Sequence, residues 1–182
     1  MSGKNPLKAE MEQLGLQYRR GTFDDIPALQ ELGLLAYGQF KGELSAVHWE
    51  ELRANLSSET LYPALLALGG SFVCAVQDKL IGMAFLVPSG NPNDIYPEDW
   101  SYIRLVGVHP GFAGLGIGRA LTLQCIEAAW LKGERIVGLH TSEMMPAARH
   151  IYESLGFLKV KELSSRFGKR YWLYQLPVKS QP

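Results

Sequence analysis

Gly111, Gly114, Gly116 and Gly118 stand within eight residues of one another in the segment VHPGFAGLGIGRAL, residues 108–121. Glycine at this spacing lets backbone N–H groups approach an anion with no Cβ in the way. An apolar run precedes the segment and a helical pattern follows it. The first N–H groups of that helix and the positive end of its dipole therefore join the same place. The chemistry this suits is the binding of a phosphate or pyrophosphate, with Arg119 as an added cation. One glycine would be read as a tight turn needing positive φ; four in eight residues point to an anion site. Two well-known phosphate-binding patterns do not fit. A P-loop needs Lys and Ser or Thr where Arg119 and Ala120 stand. A dinucleotide fingerprint needs Gly-x-Gly-x-x-Gly and an acidic residue closing the next strand; here the glycines are Gly114, Gly116 and Gly118 and the next strand ends at His140 and Thr141.

The elements that must position this turn follow from hydrophobic period. Residues 16–20 read as a short strand. A helix starts at Thr22 to Asp25 with Pro27 in its first turn, and Ile26, Leu29, Leu32, Leu35 and Ala36 form its apolar face. Ser45 caps a second helix to Leu56 with Val47, Leu52 and Leu56 inward, and 61–68 is a third. The period then changes to strands at 71–76 and 80–87 around the turn Gln77-Asp78-Lys79. A long loop, 89–99, leads to a strand at 102–108. After the glycine turn come a helix at 119–132, a strand at 135–140 and a helix at 146–155 stopped by Gly156. A final antiparallel pair spans 157–163 and 170–176. This order predicts one mixed α/β domain over 16–177, with a polar lead-in at 1–15 and a tail at 178–182.

Composition narrows the function classes. Eighteen basic and eighteen acidic side chains cancel, which removes a whole-chain electrostatic case for nucleic acid or anionic lipid. Neither Cys74 nor Cys125 has a partner at metal-ligand spacing, so no metal site is expected, and both lie in apolar runs as core thiols of a reducing, cytoplasmic compartment. No apolar run approaches membrane-spanning length, and MSGKNPLKAE has no apolar core of a signal peptide.

Two signatures in order give a resemblance. Val108-His109-Pro110 followed by Ala113, Gly116 and Gly118 is similar to the Val-x-Pro and (Arg/Gln)-x-x-Gly-x-(Gly/Ala) signature of the GNAT N-acetyltransferases. Ala148, Tyr152, Glu153, Gly156 and Phe157 match that family's downstream Ala-x-x-x-Tyr-Glu-x-x-Gly-Phe. The likeness covers about residues 102–160. It implies a mostly antiparallel twisted sheet of six to seven strands, helices on both faces, and a splay between the fourth and fifth strands. It implies acetyl-CoA as cosubstrate, with the pyrophosphate on Ala113, Gly114, Leu115, Gly116, Ile117, Gly118 and Arg119. The pantetheine arm would then run beside Val106 and Val108, with Ala148 and Tyr152 across from it. Two positions depart: Ala113 stands for the usual Arg or Gln, and Met145 for the usual Asn, with Ser142 or Thr141 as substitutes.

Under the resemblance, acetyl transfer to an amine needs a neutral nucleophile, a donor for the developing oxyanion and a proton for the leaving thiolate. Tyr152 takes the general-acid position and the backbone N–H near Val106 the oxyanion position. Gly107 reads either as the bulge that opens the splay or as a close-packing glycine. No general base stands out: Asp94, Glu98 and Asp99 lie in the long loop, and His109 and His140 at strand ends. Arg104 alternates with Tyr102 and Val106, which would put all three on one face and offer Arg104 to a substrate carboxylate or to a neighbouring acid. Tyr37, Tyr96, Tyr102 and Arg104 are the acceptor-site candidates. The expected partner is a small-molecule or peptide amine. Tyr171, Trp172 and Tyr174 suit either the core or pairing with a second copy as a homodimer. The alternative function is a non-catalytic acyl-CoA sensor on the same fold.

Overall fold

Burial on both faces explains why strand β3 (Lys79–Val87) is an unbroken apolar run. The computed structural model describes residues 15–178; the rest of the expected lead-in and tail, 1–14 and 179–182, lies outside the described residues. The other strands are β1 (Gln17–Arg20), β2 (Ser71–Val76), β4 (Ser101–Val108), β5 (Ile136–Ser142), β6 (Leu158–Arg166) and β7 (Lys169–Pro177). They form a seven-stranded sheet in the order β1-β2-β3-β4-β5-β7-β6. Every neighbouring pair is antiparallel except β4 and β5. The helices are α1 (Ile26–Gly38), α2 (Ala46–Leu56), α3 (Leu61–Ala67), α4 (Ile117–Leu131) and α5 (Pro146–Ser154). One face of β3 gives Ile81, Ala84 and Leu86 to a core with Leu121, Cys125 and Phe157. The other gives Met83, Phe85 and Val87 to a core with Leu29, Leu32 and Tyr62. Helices thus cover both faces, as the resemblance implied.

Local chemistry sets the element ends. Gln77 and Asp78 both adopt positive φ, the geometry of a two-residue hairpin that follows strand twist. Ser45 Oγ accepts from His48 N at 3.3 Å and caps α2. Asp25 takes two 2.7 Å bonds from Arg19, which hold its carboxyl down at about 2 and pin the start of α1 to β1. Two expected inward residues face out. Leu35 is 39% and Val47 77% exposed. The buried stripe of α1 is Leu29, Leu32, Gly33 and Ala36, and Leu35 lies about 120° round the helix from Leu29. The inward residues of α2 are Leu52 and Leu56, with Val47 well off their line.

The feature that shapes the site is in β4. Register passes from Gly107 opposite Met83 to Arg104 opposite Phe85, so Leu105 and Val106 face a single residue of β3. Leu105 absorbs the bulge at φ +51°. Gly107 is the packing glycine beside it: a Cβ there would sit 3.1 Å from Met83 Cε and 3.2 Å from Ala36 Cβ. The bulge also switches the faces. Tyr102 and Leu105 pack on the α1 side, whereas Val106 and Val108 pack on the α4 side. The expected common face of Tyr102, Arg104 and Val106 is therefore broken between Arg104 and Val106. Beyond Ser101–Val137 and Tyr102–Gly138, β4 and β5 share no register, and this is the splay. β7 is paired on both sides and buries Tyr171, Trp172 and Tyr174, so it offers no edge to a second copy; the free edges are β1 and β6. Among the described residues no helix is long and apolar enough to cross a membrane, and no cluster of side chains could hold a metal ion.

Candidate active site

The glycine turn is rigidly seated. Pro110–Phe112 makes a single 3-10 turn, and His109 Nδ1 accepts from Gly111 N at 3.0 Å. Gly114 (φ +83°) and Gly116 (φ +75°) then adopt the left-handed conformation that L side chains resist. α4 begins at Ile117, whose side chain is 1% exposed and packs over Gly82; a Cβ at Gly82 would come within 2.7 Å of it. The first N–H bonded inside the helix is that of Ala120, to Gly116 O at 2.9 Å. The N–H groups of Ile117, Gly118 and Arg119 precede it, and those of Gly114, Leu115 and Gly116 make no backbone hydrogen bond among the described residues. Five of these six residues, all but Leu115, border one cleft at the positive end of a 15-residue helix.

A cleft of about 680 Å³ runs from this loop along the open edge of β4. Val106, Gly107 and Val108 form one wall and Ala148, Ile151 and Tyr152 of α5 the other, while Tyr37, Phe40 and Glu43 close the end under α1. Ala113, Gly114, Gly116, Ile117, Gly118 and Arg119 border it. Leu115 does not; it turns back onto the core. Ser142 is also elsewhere. Its Oγ donates to Arg170 O at 3.1 Å, so it faces β7, and Met144 and Met145 occupy the stretch of cleft expected for it.

Tyr152 is 6% exposed and sits edge-on to Phe157. Its hydroxyl has no protein hydrogen bond among the described residues and the residue borders the cleft. Burial raises its pKa above the ordinary phenol value, so it is a proton holder at any physiological pH. Burial does the same to Tyr37.

A second cavity, of about 430 Å³, meets the first at Tyr37 and Met145, which border both. Arg104, His140, Arg166 and Tyr171 line it together with Asn55, Ser58 and Thr60 from the α2–α3 segment. Tyr96 and Tyr102 border neither cavity. Their rings stack at 4.0 Å and 8° within the core. Tyr102 donates to Asn91 O at 3.2 Å, and Tyr96 Oη lies 2.6 Å from His140 Nδ1. Burial, with Arg166 and Arg104, pushes the His140 imidazole down to about 4, so it is neutral at physiological pH. Asp94, Glu98 and Asp99 stay on the exposed loop. Glu43 is the one carboxylate among the described residues that borders either cavity. Sequence reading passed over Glu43 and Arg166 and gave Tyr171 to the core or a dimer contact, because only the folded chain brings the α1 end and the β6–β7 hairpin to this place.

Residues 39–157 match a family model described as the acetyltransferase (GNAT) family. The chain is 32% identical over 110 residues to a mycothiol acetyltransferase of Thermomonospora curvata, covering 60% of this chain and 33% of that protein. It is 30% identical over 161 residues to that of Gordonia bronchialis, covering 78% of this chain and 50% of that protein. It thus spans a third to a half of these relatives' length. The fold is similar to that of yncA from Salmonella typhimurium, solved with its cofactor acetyl-CoA, at a TM-score of 0.66 and 20% identity over 91% of this chain and 95% of that one.

Proposed function

Because the chain belongs to the GNAT acetyltransferase family, we propose that it moves an acetyl group from acetyl-CoA to a primary amine by direct attack. The observation that carries this is the joining, in one continuous cleft, of five residues whose N–H groups have no backbone partner among the described residues, an open β4 edge and Tyr152. The loop from Gly114 to Arg119 suits the pyrophosphate; Val106 and Val108 suit an extended arm lying along their strand. Ala113 contributes no side chain to the anion, and the backbone donors suffice for it. Bound acetyl-CoA would supply a thioester: attack forms the C–N bond and pushes charge onto the carbonyl oxygen, and the C–S bond breaks as that oxyanion collapses. Val106 N–H is our oxyanion donor. Tyr152 holds its proton at the phenolic oxygen for the departing sulfur and recovers one from the amine nitrogen. No covalent enzyme intermediate is needed, and Cys125 is buried within α4, away from the cleft.

The amine enters through the second cavity. We place the protein in a reducing, cytoplasmic compartment, a reading supported by the two buried free thiols, Cys74 and Cys125. A homodimer would use the edge of β6, where Leu158 and Val160 are exposed, rather than β7.

The test is calorimetric titration with acetyl-CoA, followed by an assay of CoA release in the presence of amines. Saturable binding that Gly116→Glu abolishes while keeping the wild-type circular dichroism supports the site. Binding with no turnover of any amine turns the protein into a sensor of acyl-CoA. No binding by the wild type removes both readings.

A further inference from the structure

Resting on the acetyltransferase reading, we propose that the acceptor is a small amine that carries its own oxyanion, a carboxylate or a phosphate ester, held between Arg104 and Arg166 in the second cavity.

The two arginines come from distant parts of the chain. Arg104 is half-buried on β4, immediately before the bulge, and Arg166 ends β6 at the rim. Both line the second cavity, the one that meets the cleft at Tyr37 and Met145. Arg19, Arg53 and Arg170 are each paired with a carboxylate, whereas Arg20, Arg119, Arg135 and Arg149 make no ion pair among the described residues; what sets Arg104 and Arg166 apart is that they share one cavity. Among the described residues Arg104 and Arg166 make no ion pair and no side-chain hydrogen bond. No carboxylate lines the cavity with them. Three acids face this region from outside it: Asp94 on the exposed loop, whose charge reaches His140, Glu51, which borders an adjoining groove with Arg166, and Glu43 in the first cleft. The other polar groups in the cavity, among them Asn55, Ser58, Thr60 and Tyr171, are uncharged. So is His140, on which both guanidinium charges act.

Two planar guanidinium groups line one cavity, Arg104 half-buried and Arg166 exposed at its rim, and carboxylate or phosphate oxygens match their paired donors. A polyamine or a lysine-rich peptide would instead bring like charge against both. The same field favours the neutral form of a nearby amine, because a cation close to other cations loses its proton more readily. The bulge at Leu105 is what makes the division of labour: it leaves Arg104 with the second cavity while Val106 turns to the cleft.

The experiment measures CoA release by the full chain with matched pairs of amines: free α-amino acids against their carboxamides, and phosphoethanolamine and glucosamine 6-phosphate against ethanolamine and glucosamine. The expected result is that the anionic member of at least one pair is turned over, with kcat/KM at least ~10-fold above its neutral partner. Arg104→Gln and Arg166→Gln should each raise KM for it by ~10-fold or more while the acetyl-CoA Kd stays within twofold, and Arg104→Lys should recover only part of the loss. The amino acid and phosphate arms say which oxyanion is the source. A preference for neutral or cationic amines, or unchanged KM in both Gln variants, overturns the inference while leaving the acetyltransferase reading standing. Should no pair be turned over, thermal stabilisation of the CoA-bound protein by the anionic members alone, lost in Arg166→Gln, supports the inference, and its absence counts against it. Failure of the wild type to bind acetyl-CoA is seen separately and fails the underlying reading.

Discussion

The hydroxyl of Tyr174 donates to Glu153 Oε1 at 2.8 Å, tying β7 to the helix residue that directly follows Tyr152. Burial and the neighbouring carboxylate push the Tyr174 phenol up to about 12, so the donor keeps its proton. Tyr174→Phe removes the bond while leaving Glu153, which is exposed, to water. The expected loss is about 1 kcal/mol in denaturant unfolding, with kcat reduced severalfold because α5 is less firmly held. An unchanged midpoint would show that this tie contributes nothing.

Tyr152→Phe keeps the ring that packs on Phe157 and deletes only the hydroxyl, and with it the proton. The expected outcome is a fall in kcat of roughly 10²-fold or more with acetyl-CoA affinity retained, the pattern of a lost general acid. A KM effect with kcat intact would instead assign Tyr152 to binding.

Gly82 is the floor on which the start of α4 rests, with Ile117 Cγ2 and Leu121 Cδ1 at 2.7 and 2.9 Å from where a Cβ would stand. Gly82→Val lifts the helix start away from the sheet. Stability should drop by about 1–3 kcal/mol, and acetyl-CoA affinity should fall although the substituted residue never touches it. Calorimetry on the folded variant decides this; wild-type affinity would mean that the loop is held from elsewhere.

His140 gives a pH signature. Its folded value of about 4 lies below the usual 6.5, so between these limits the unfolded chain binds a proton that the folded chain does not. Its contribution to stability is therefore fully present above pH 6.5 and is lost as pH falls towards 4, about 2 kcal/mol of it by pH 5. Denaturant midpoints at pH 7 and pH 5 should converge in His140→Phe relative to the wild type. Equal pH dependence in the two proteins would place the titration on another group.

The part of the site that was legible in the sequence is the part built from local chain. Gly114, Gly116 and the α4 start are contiguous, and positive φ with free N–H groups follows from residue type alone. Tyr152 was legible through the spacing of Ala148, Glu153, Gly156 and Phe157 around it. The order of elements along the chain followed from period and turn chemistry, including the Gln77-Asp78 hairpin, and the sheet architecture from the family resemblance. What escaped was set by tertiary packing. Leu105 is a branched residue with no local reason to adopt positive φ; the mismatch of β3 and β4 forces it there, and the face of every later residue changes with it. Tyr96 and Tyr102 carry the composition of a binding site, yet they satisfy each other by stacking. Arg166 belongs to a hairpin with no motif, and its meeting with Arg104 depends on where β7 carries that hairpin.

The splay has a further consequence. With only two residue pairs joining β4 to β5, the sheet is two panels, β1–β4 and β5–β7, whose cohesion along the seam depends on the flanking helices. An extended guest in the gap, as proposed for the acyl donor, would become a seam strand, bonding both panels through backbone groups that share no β4–β5 ladder. Its binding is then also a gain in mechanical continuity, with global stability rising as RT ln(1 + [L]/Kd). Amide exchange along Ile103–Val108 should slow on occupancy out of proportion to the area touched. The melting temperature of this chain in a lysate would thus act as a gauge of the local supply of acyl donor.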